Sequence, residues 1–191
     1  MNSENELTNL MNPARVGLLV VDLQEKLLPV IHDREAIERT AVSAIRAAGH
    51  LELSVLSSEQ YVRGLGPTVP AVRAALDEVG AQKGVEKKAF SCFGEPAFEA
   101  AFDTAGLDTL VLCGIETHVC VLQTALEALD RGIDVFVITD AVGSRNPRHK
   151  EEALLRLRDA GCLLGPLEMF VFEMLRTAAH PAFRDVQRLI R

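Results

Sequence analysis

Three side chains of this sequence, far apart along the chain, combine into one chemistry: the carboxylate of Asp22, the ammonium of Lys87 and the thiol of Cys120. The carboxylate can accept the thiol proton, the ammonium can neutralise and orient the carboxylate, and the thiolate can attack a carbonyl carbon. Cys120 closes the stretch from Leu107 to Cys120, which reads as a buried strand, a tight turn at Gly114 and the first turn of a helix. A thiol there meets N–H groups without intrahelical partners and the positive end of the helix dipole, so its pKa is expected below the unperturbed value of about 8.5. The N–H groups between Gly114 and Cys120 can also hold a tetrahedral oxyanion. Asp22 would then return its proton to a leaving amine and activate the water that clears a thioester.

Neighbouring residues suggest other chemistry and carry it less well. His118 invites a Cys–His pair, but helical residues so close in sequence point in different directions. Gly64-Leu65-Gly66 has the start of a dinucleotide fingerprint, yet Val69 stands where the third glycine belongs. Asp22-Leu23-Gln24 lacks the second aspartate of an aspartyl-phosphate enzyme. Cys92, Cys113 and Cys162 read as small buried apolar residues. Asp140 and Ser144 read as residues that order a loop rather than catalyse.

The elements that must position the three groups follow from apolar runs and their breaks. Val16 to Val21 is a continuous apolar run ending at Asp22, as in a strand buried on both faces. A helix follows through Ile37, Ala41, Ala44, Ile45 and Ala48, with Gly49 as its expected C-cap. Further strands are expected at 51–56, 84–86, 107–113, 133–138 and 162–164, and further helices at 70–79, 96–102, 117–131, 148–160, 167–177 and 181–190. Polar loops are expected at 57–67 and 139–146. Strands and helices in alternation give an α/β fold, a parallel sheet covered on both faces, with ligands beyond the C-terminal strand ends. Asp22, Lys87 and Cys120 fall at or just after such ends. Residues 1–12 read as a flexible arm and 13–191 as one domain.

Composition narrows the partners. The chain has 191 residues, 48% of them hydrophobic, which is enough for a single closed core. Its 20 basic and 27 acidic side chains give a net charge of −7, which argues against nucleic acid or an anionic membrane and for a small-molecule substrate. No apolar run reaches the roughly 20 residues of a membrane span, and the start lacks the pattern of a secretory signal, so a cytoplasmic location is expected. The four cysteines lack C-x-x-C spacing and are expected as free thiols.

Four segments, in order, carry a resemblance: Val20 to Lys26, Glu59 to Thr68, Glu86 to Phe93 and Cys113 to Cys120. Together with Thr139-Asp140-Ala141-Val142 and two C-terminal segments, they resemble the isochorismatase-like cysteine hydrolases from about residue 14 onward. The resemblance implies a three-layer α-β-α fold with a six-stranded parallel sheet ordered 3-2-1-4-5-6. It also implies an Asp22-Lys87-Cys120 triad, in which Lys87 rather than Lys88 matches the family lysine. A cis peptide at Ile115-Glu116 would belong with Cys120 to the oxyanion site, and Gln24, Gln60, Tyr61 and Phe93 to a substrate pocket. In the implied order, strand 3 lies about 10 Å from strand 1 at about 4.8 Å per strand, so Lys87 must lean inward to meet Asp22.

Nicotinamidase-type members carry an Asp-x-His metal motif after strand 2, where this chain has Ser57 to Tyr61. No metal and no cofactor are expected, and the chain resembles the metal-free branch that includes isochorismatase domain-containing proteins. The implied activity is cleavage of a C–N bond in a small carboxamide by a homo-oligomeric enzyme. The alternatives are hydrolysis of an isochorismate-like vinyl ether, with Asp22 as the acid and no nucleophile, or an idle triad in an oligomeric interaction protein.

Overall fold

Val16–Val21 forms β1, every residue of it buried, because the sheet it enters is covered on both faces. The computed structural model describes residues 10–191. After β1 come α1 (Arg34–His50), β2 (Ser54–Gln60), the single turn α2 (Val62–Leu65), α3 (Pro70–Glu78) and β3 (Val85–Lys87). The second half runs α4 (Pro96–Thr104), β4 (Thr109–Ile115), a π-helical turn (Thr117–Val121), α5 (Leu122–Asp130) and β5 (Asp134–Gly143), then α6 (Pro147–Ala160), β6 (Leu163–Gly165), α7 (Leu167–Leu175) and α8 (Phe183–Leu189).

All six strands are parallel and lie in the expected order β3-β2-β1-β4-β5-β6. Alternate side chains of each strand feed opposite layers. Leu18, Val20, Val111, Cys113 and Ile115 pack with α1, α3, α7 and α8, while Leu19, Val21, Leu110 and Leu112 pack with α4, α5 and α6. The strand order reverses between β1 and β4, which opens a crevice beyond their C-terminal ends.

Several boundaries differ from the sequence reading, each for a local reason. Gly49 does not cap α1; it lies within the helix against Val79, where a Cβ would come 2.5 Å from that side chain. Glu52 then turns the chain at positive φ, so β2 begins at Ser54 rather than 51 and carries the polar run Ser57–Gln60 into the sheet. β5 likewise continues through 139–143, residues expected in a loop. Gly114 does not turn the chain. It sits inside β4 at φ 117°, at a shift of register against β5, and the strand continues to Ile115.

The described end of the expected arm is docked. Met11 is buried, its N–H donates to Glu173 Oε1 at 2.8 Å, and its carbonyl accepts from Arg176. The rest of that arm, residues 1–9, lies outside the described residues. No helix among the described residues is long and apolar enough to cross a membrane.

A Cβ at Gly114 would stand 2.0 Å from the carbonyl oxygen of Val21. Gly114→Ala is therefore expected to destabilise the fold by about 2–5 kcal/mol, from forced overpacking and a left-handed alanine together, read as a fall in the urea midpoint.

Candidate active site

Asp22 is the first residue beyond β1, and three constraints aim it. The strand pairs on both sides as far as Val21, with Ser58 of β2 and Gly114 of β4. Asp22 then turns to φ 51°, a left-handed conformation that aspartate tolerates better than most residues. Its N–H donates to the Ser58 carbonyl at 3.2 Å, and its Oδ1 accepts from Ser58 Oγ at 2.8 Å. The carboxylate is fully buried.

Lys87 ends β3, opposite Gln60 of β2. Its four-carbon stem spans the intervening strand end and brings Nζ to 2.8 Å from Asp22 Oδ2, with only 1% of the side chain exposed. Nζ also donates to Gln60 Oε1 at 2.6 Å and to the carbonyls of Phe90 at 3.0 Å and Ala89 at 3.3 Å. Burial alone would lower the lysine pKa, but the charge of Asp22, helped by Cys120 and Cys92, holds it above the ordinary lysine range.

Cys120 lies in the π-helical turn between β4 and α5, 7% exposed. Its pKa is not lowered. Burial first, and the charge of Asp22 second, push the thiol up to about 12, against a smaller downward pull from Lys87. The expectation of a pre-formed thiolate relied on a helix terminus in contact with water; the dry environment and the facing carboxylate outweigh it. The sulfur therefore rests as a thiol.

The Ile115-Glu116 peptide is cis. Glu116 follows it, nearly buried, and its carboxylate takes the Arg145 N–H at 2.9 Å and the Arg145 guanidinium at 2.6 Å. Burial would raise the pKa of Glu116, but these bonds hold it below the usual carboxylate range. The Glu116 carbonyl takes the N–H groups of Val119 at 3.0 Å and Val121 at 3.3 Å. The N–H groups of Thr117 and His118 open the turn, the position where helical donors have no partner within the helix.

The expected pocket residues divide. Gln60 joins the site, through Lys87. Gln24 does not offer its amide to a ligand: it is fully buried and bonded to both backbone groups of Gln60 and to the Gly66 carbonyl, which fastens β2 and the following turn to the end of β1. Phe93 is committed to an apolar cluster shared with Cys120, its ring edge-on to Phe98 and Phe102. Tyr61 lies at the surface, half exposed, with its ring over Gly64, where a longer side chain would collide with it.

Ser58 was not singled out by sequence. Its signal was a polar run, Ser57 to Gln60, directly after an apolar strand, whose burial requires partners. Three of the four have such partners, Ser58 in Asp22, Gln60 in Lys87, and Glu59 in the N–H and hydroxyl of Thr68, both at 2.7 Å, whereas the buried Ser57 hydroxyl has no hydrogen-bond partner among the described residues. Among the described residues, no group of three or more His, Cys, Asp or Glu side chains is placed to hold a metal ion. His118 turns to other partners, with Nδ1 2.9 Å from Ser144 Oγ and its ring 4.8 Å from that of His149. Asp140 accepts from the first N–H of α7 at 2.9 Å.

Residues 16–168 match the family model for the isochorismatase domain. Isochorismatase domain-containing protein 2A of Mus musculus is 39% identical over 176 residues, 91% of this chain and 82% of that protein. The structure of MAR1 ribonuclease from Caenorhabditis elegans superposes with a TM-score of 0.87 at 36% identity, covering 95% of this chain and 92% of the other. YcaC from Pseudomonas aeruginosa, in a structure with hexane-2,5-diol and covalent acrylamide, superposes with a TM-score of 0.87 at 25% identity, covering 95% and 91%.

Two outcomes follow from the buried charges. Lys87→Met leaves Asp22 unpaired and is expected to cost about 3–5 kcal/mol in a urea titration, most of it recovered when Asp22→Leu is added. The difference in thiolate absorbance between wild type and Cys120→Ala is expected to show no thiolate at Cys120 even at about pH 10, well above a free thiol's pKa. Asp22→Asn removes a negative charge facing the sulfur and brings that titration down in pH.

Proposed function

We propose, from the premise that this chain belongs to the isochorismatase family, that it is a metal-free cysteine hydrolase cleaving a C–N bond of a small carboxamide through a thioester on Cys120. The observation that carries this reading is the buried Asp22–Lys87 ion pair, 2.8 Å across, in whose field the Cys120 sulfur lies.

Asp22 removes the Sγ proton as the sulfur attacks the amide carbon, and N–H groups of the turn before Cys120 receive the oxyanion. The tetrahedral intermediate collapses when Asp22 gives that proton to the leaving nitrogen, which departs as an amine. A water molecule, deprotonated by Asp22, then adds to the thioester carbon. Collapse breaks the S–C bond, releases the acid and returns a proton to sulfur. Lys87 stays charged throughout and stabilises Asp22 as a carboxylate between steps. Acrylamide is an electrophile that thiols attack, so the covalent acrylamide in the Pseudomonas aeruginosa protein is in keeping with a nucleophilic group in a protein of this fold.

RNA hydrolysis, the activity named for the Caenorhabditis elegans protein, finds less support here, because a net charge of −7 provides no broad basic surface for phosphates. Exposed Leu163, Met169 and Phe172, on β6 and α7, support self-association.

A panel of small primary and N-substituted amides is expected to contain a substrate whose turnover falls at least about a thousandfold in Cys120→Ala. Quenching the wild type during turnover is expected to trap an acyl adduct on Cys120 by mass spectrometry. Turnover that survives in Cys120→Ala would exclude the thioester and favour the vinyl-ether reaction, in which Asp22 acts alone.

A further inference from the structure

At the far edge of the sheet, away from the Asp22–Lys87 pair, large apolar side chains are exposed together. β6 is the last strand in the order and, among the described residues, pairs only with β5. Leu163 opens this strand, and Gly165 closes it on the same face. A Cβ at Gly165 would stand 2.5 Å from Met169 Sδ, so Met169 of α7 lies over that face beside the sheet edge. Phe172, about one turn further along α7, has its ring centre 6.2 Å from that of Phe183 in α8. Leu163, Met169 and Phe172 are 47%, 51% and 40% exposed, which makes a shared surface rather than a single stray side chain. Edge strands are commonly guarded by charge or proline, and this one presents leucine.

The charges bordering this surface select what covers it. Glu168 lies about one turn before Phe172, and Arg176, the C-cap of α7, about one turn after it, all three exposed. A stripe that is acidic at its start and basic at its end matches an antiparallel copy of itself. With the two Phe172 rings on the axis, Glu168 of each chain stands opposite Arg176 of the other, whereas a parallel copy would set like charges together. Arg176 already donates to the Met11 carbonyl, but a guanidinium has five N–H groups and can serve both. We propose that this surface is a two-fold interface in which α7 packs antiparallel against α7 of a second copy of this chain. Phe172 lies on the axis, Met169 and Leu163 flank it, and a Glu168–Arg176 pair closes each end. The same patch then serves both copies, as a two-fold requires, with an aromatic centre and a charged rim. The inference specifies the self-association named above; it does not rest on the amide chemistry, and its test needs no substrate.

Light scattering from the full chain measures the assembly. The wild type is expected at a multiple of 20.8 kDa. Phe172→Glu, which sets two carboxylates on the axis, is expected at half the wild-type mass or less, with association weakened at least about thirtyfold. Glu168→Arg and Arg176→Glu are each expected to dissociate in the same way, because each places like charges at both ends of the helix pair. An equimolar mixture of those two variants is expected to reassemble, since every mixed pair then has opposite charges at both ends. A mixture that stays dissociated overturns the assignment, as do a monomeric wild type and an unchanged mass in Phe172→Glu. Should a charge variant fail to fold, Phe172→Cys decides: oxidation with copper phenanthroline is expected to join two copies through position 172, and not through the exposed control Val30→Cys. No covalent dimer at position 172 overturns the interface. A multimer whose mass Phe172→Glu leaves unchanged sinks this interface alone, whereas failure of the amide panel removes the amide reading and leaves the interface standing.

Discussion

The burial of one ion pair constrains much of this molecule. Asp22 and Lys87 have lost nearly all contact with water, and desolvating two charges is costly unless every remaining lone pair and proton is matched. Gln60 and the carbonyls of Ala89 and Phe90 take hydrogen bonds from Lys87, and Ser58 donates to Asp22 Oδ1. Each requirement reaches back into the fold. Ser58 must lie beside Val21, so β2 must carry polar residues into the sheet, and Gln60 must lie opposite Lys87, so β3 must pair with the end of β2. The three residues of β3 suffice for this, since the register they set is what delivers the lysine.

Cys120 is placed by a separate constraint on the other side of β1. Gly114 lets β4 run against the Val21 backbone closer than any side chain permits, and Cys120 then enters from a π-helical turn instead of a regular helix start. Glu116 ties that turn to the chain beyond β5 through Arg145. Residues at or beyond the ends of three strands are thus positioned by three different devices: a left-handed aspartate, a long lysine stem and a tightened glycine contact.

The alternation of strand and helix was legible because fully buried strands leave continuous apolar runs, as in Val16–Val21, whereas the sheet order was implied by the family resemblance alone. Boundaries failed where polarity was mistaken for exposure. Ser57–Gln60 reads as loop because four polar residues rarely enter a sheet, and the partners that hold Ser58, Glu59 and Gln60 there, Asp22, Thr68 and Lys87 in turn, are ones no local pattern can show. The acidity of Cys120 failed for a related reason: a helix start is visible in sequence, but the dryness around the sulfur and the carboxylate facing it are tertiary. Gln24 and Phe93 stand close to the site in sequence and serve its scaffold, a difference decided by hydrogen-bond partners and ring contacts.

The docking of Met11 on α7 joins the first described residues to the last part of the chain. Met11 is buried in the same cluster that holds Phe170 and Met174, so displacing it would uncover that part of α7. Met11 and α7 are thereby coupled: local opening at either requires the contacts of both to break.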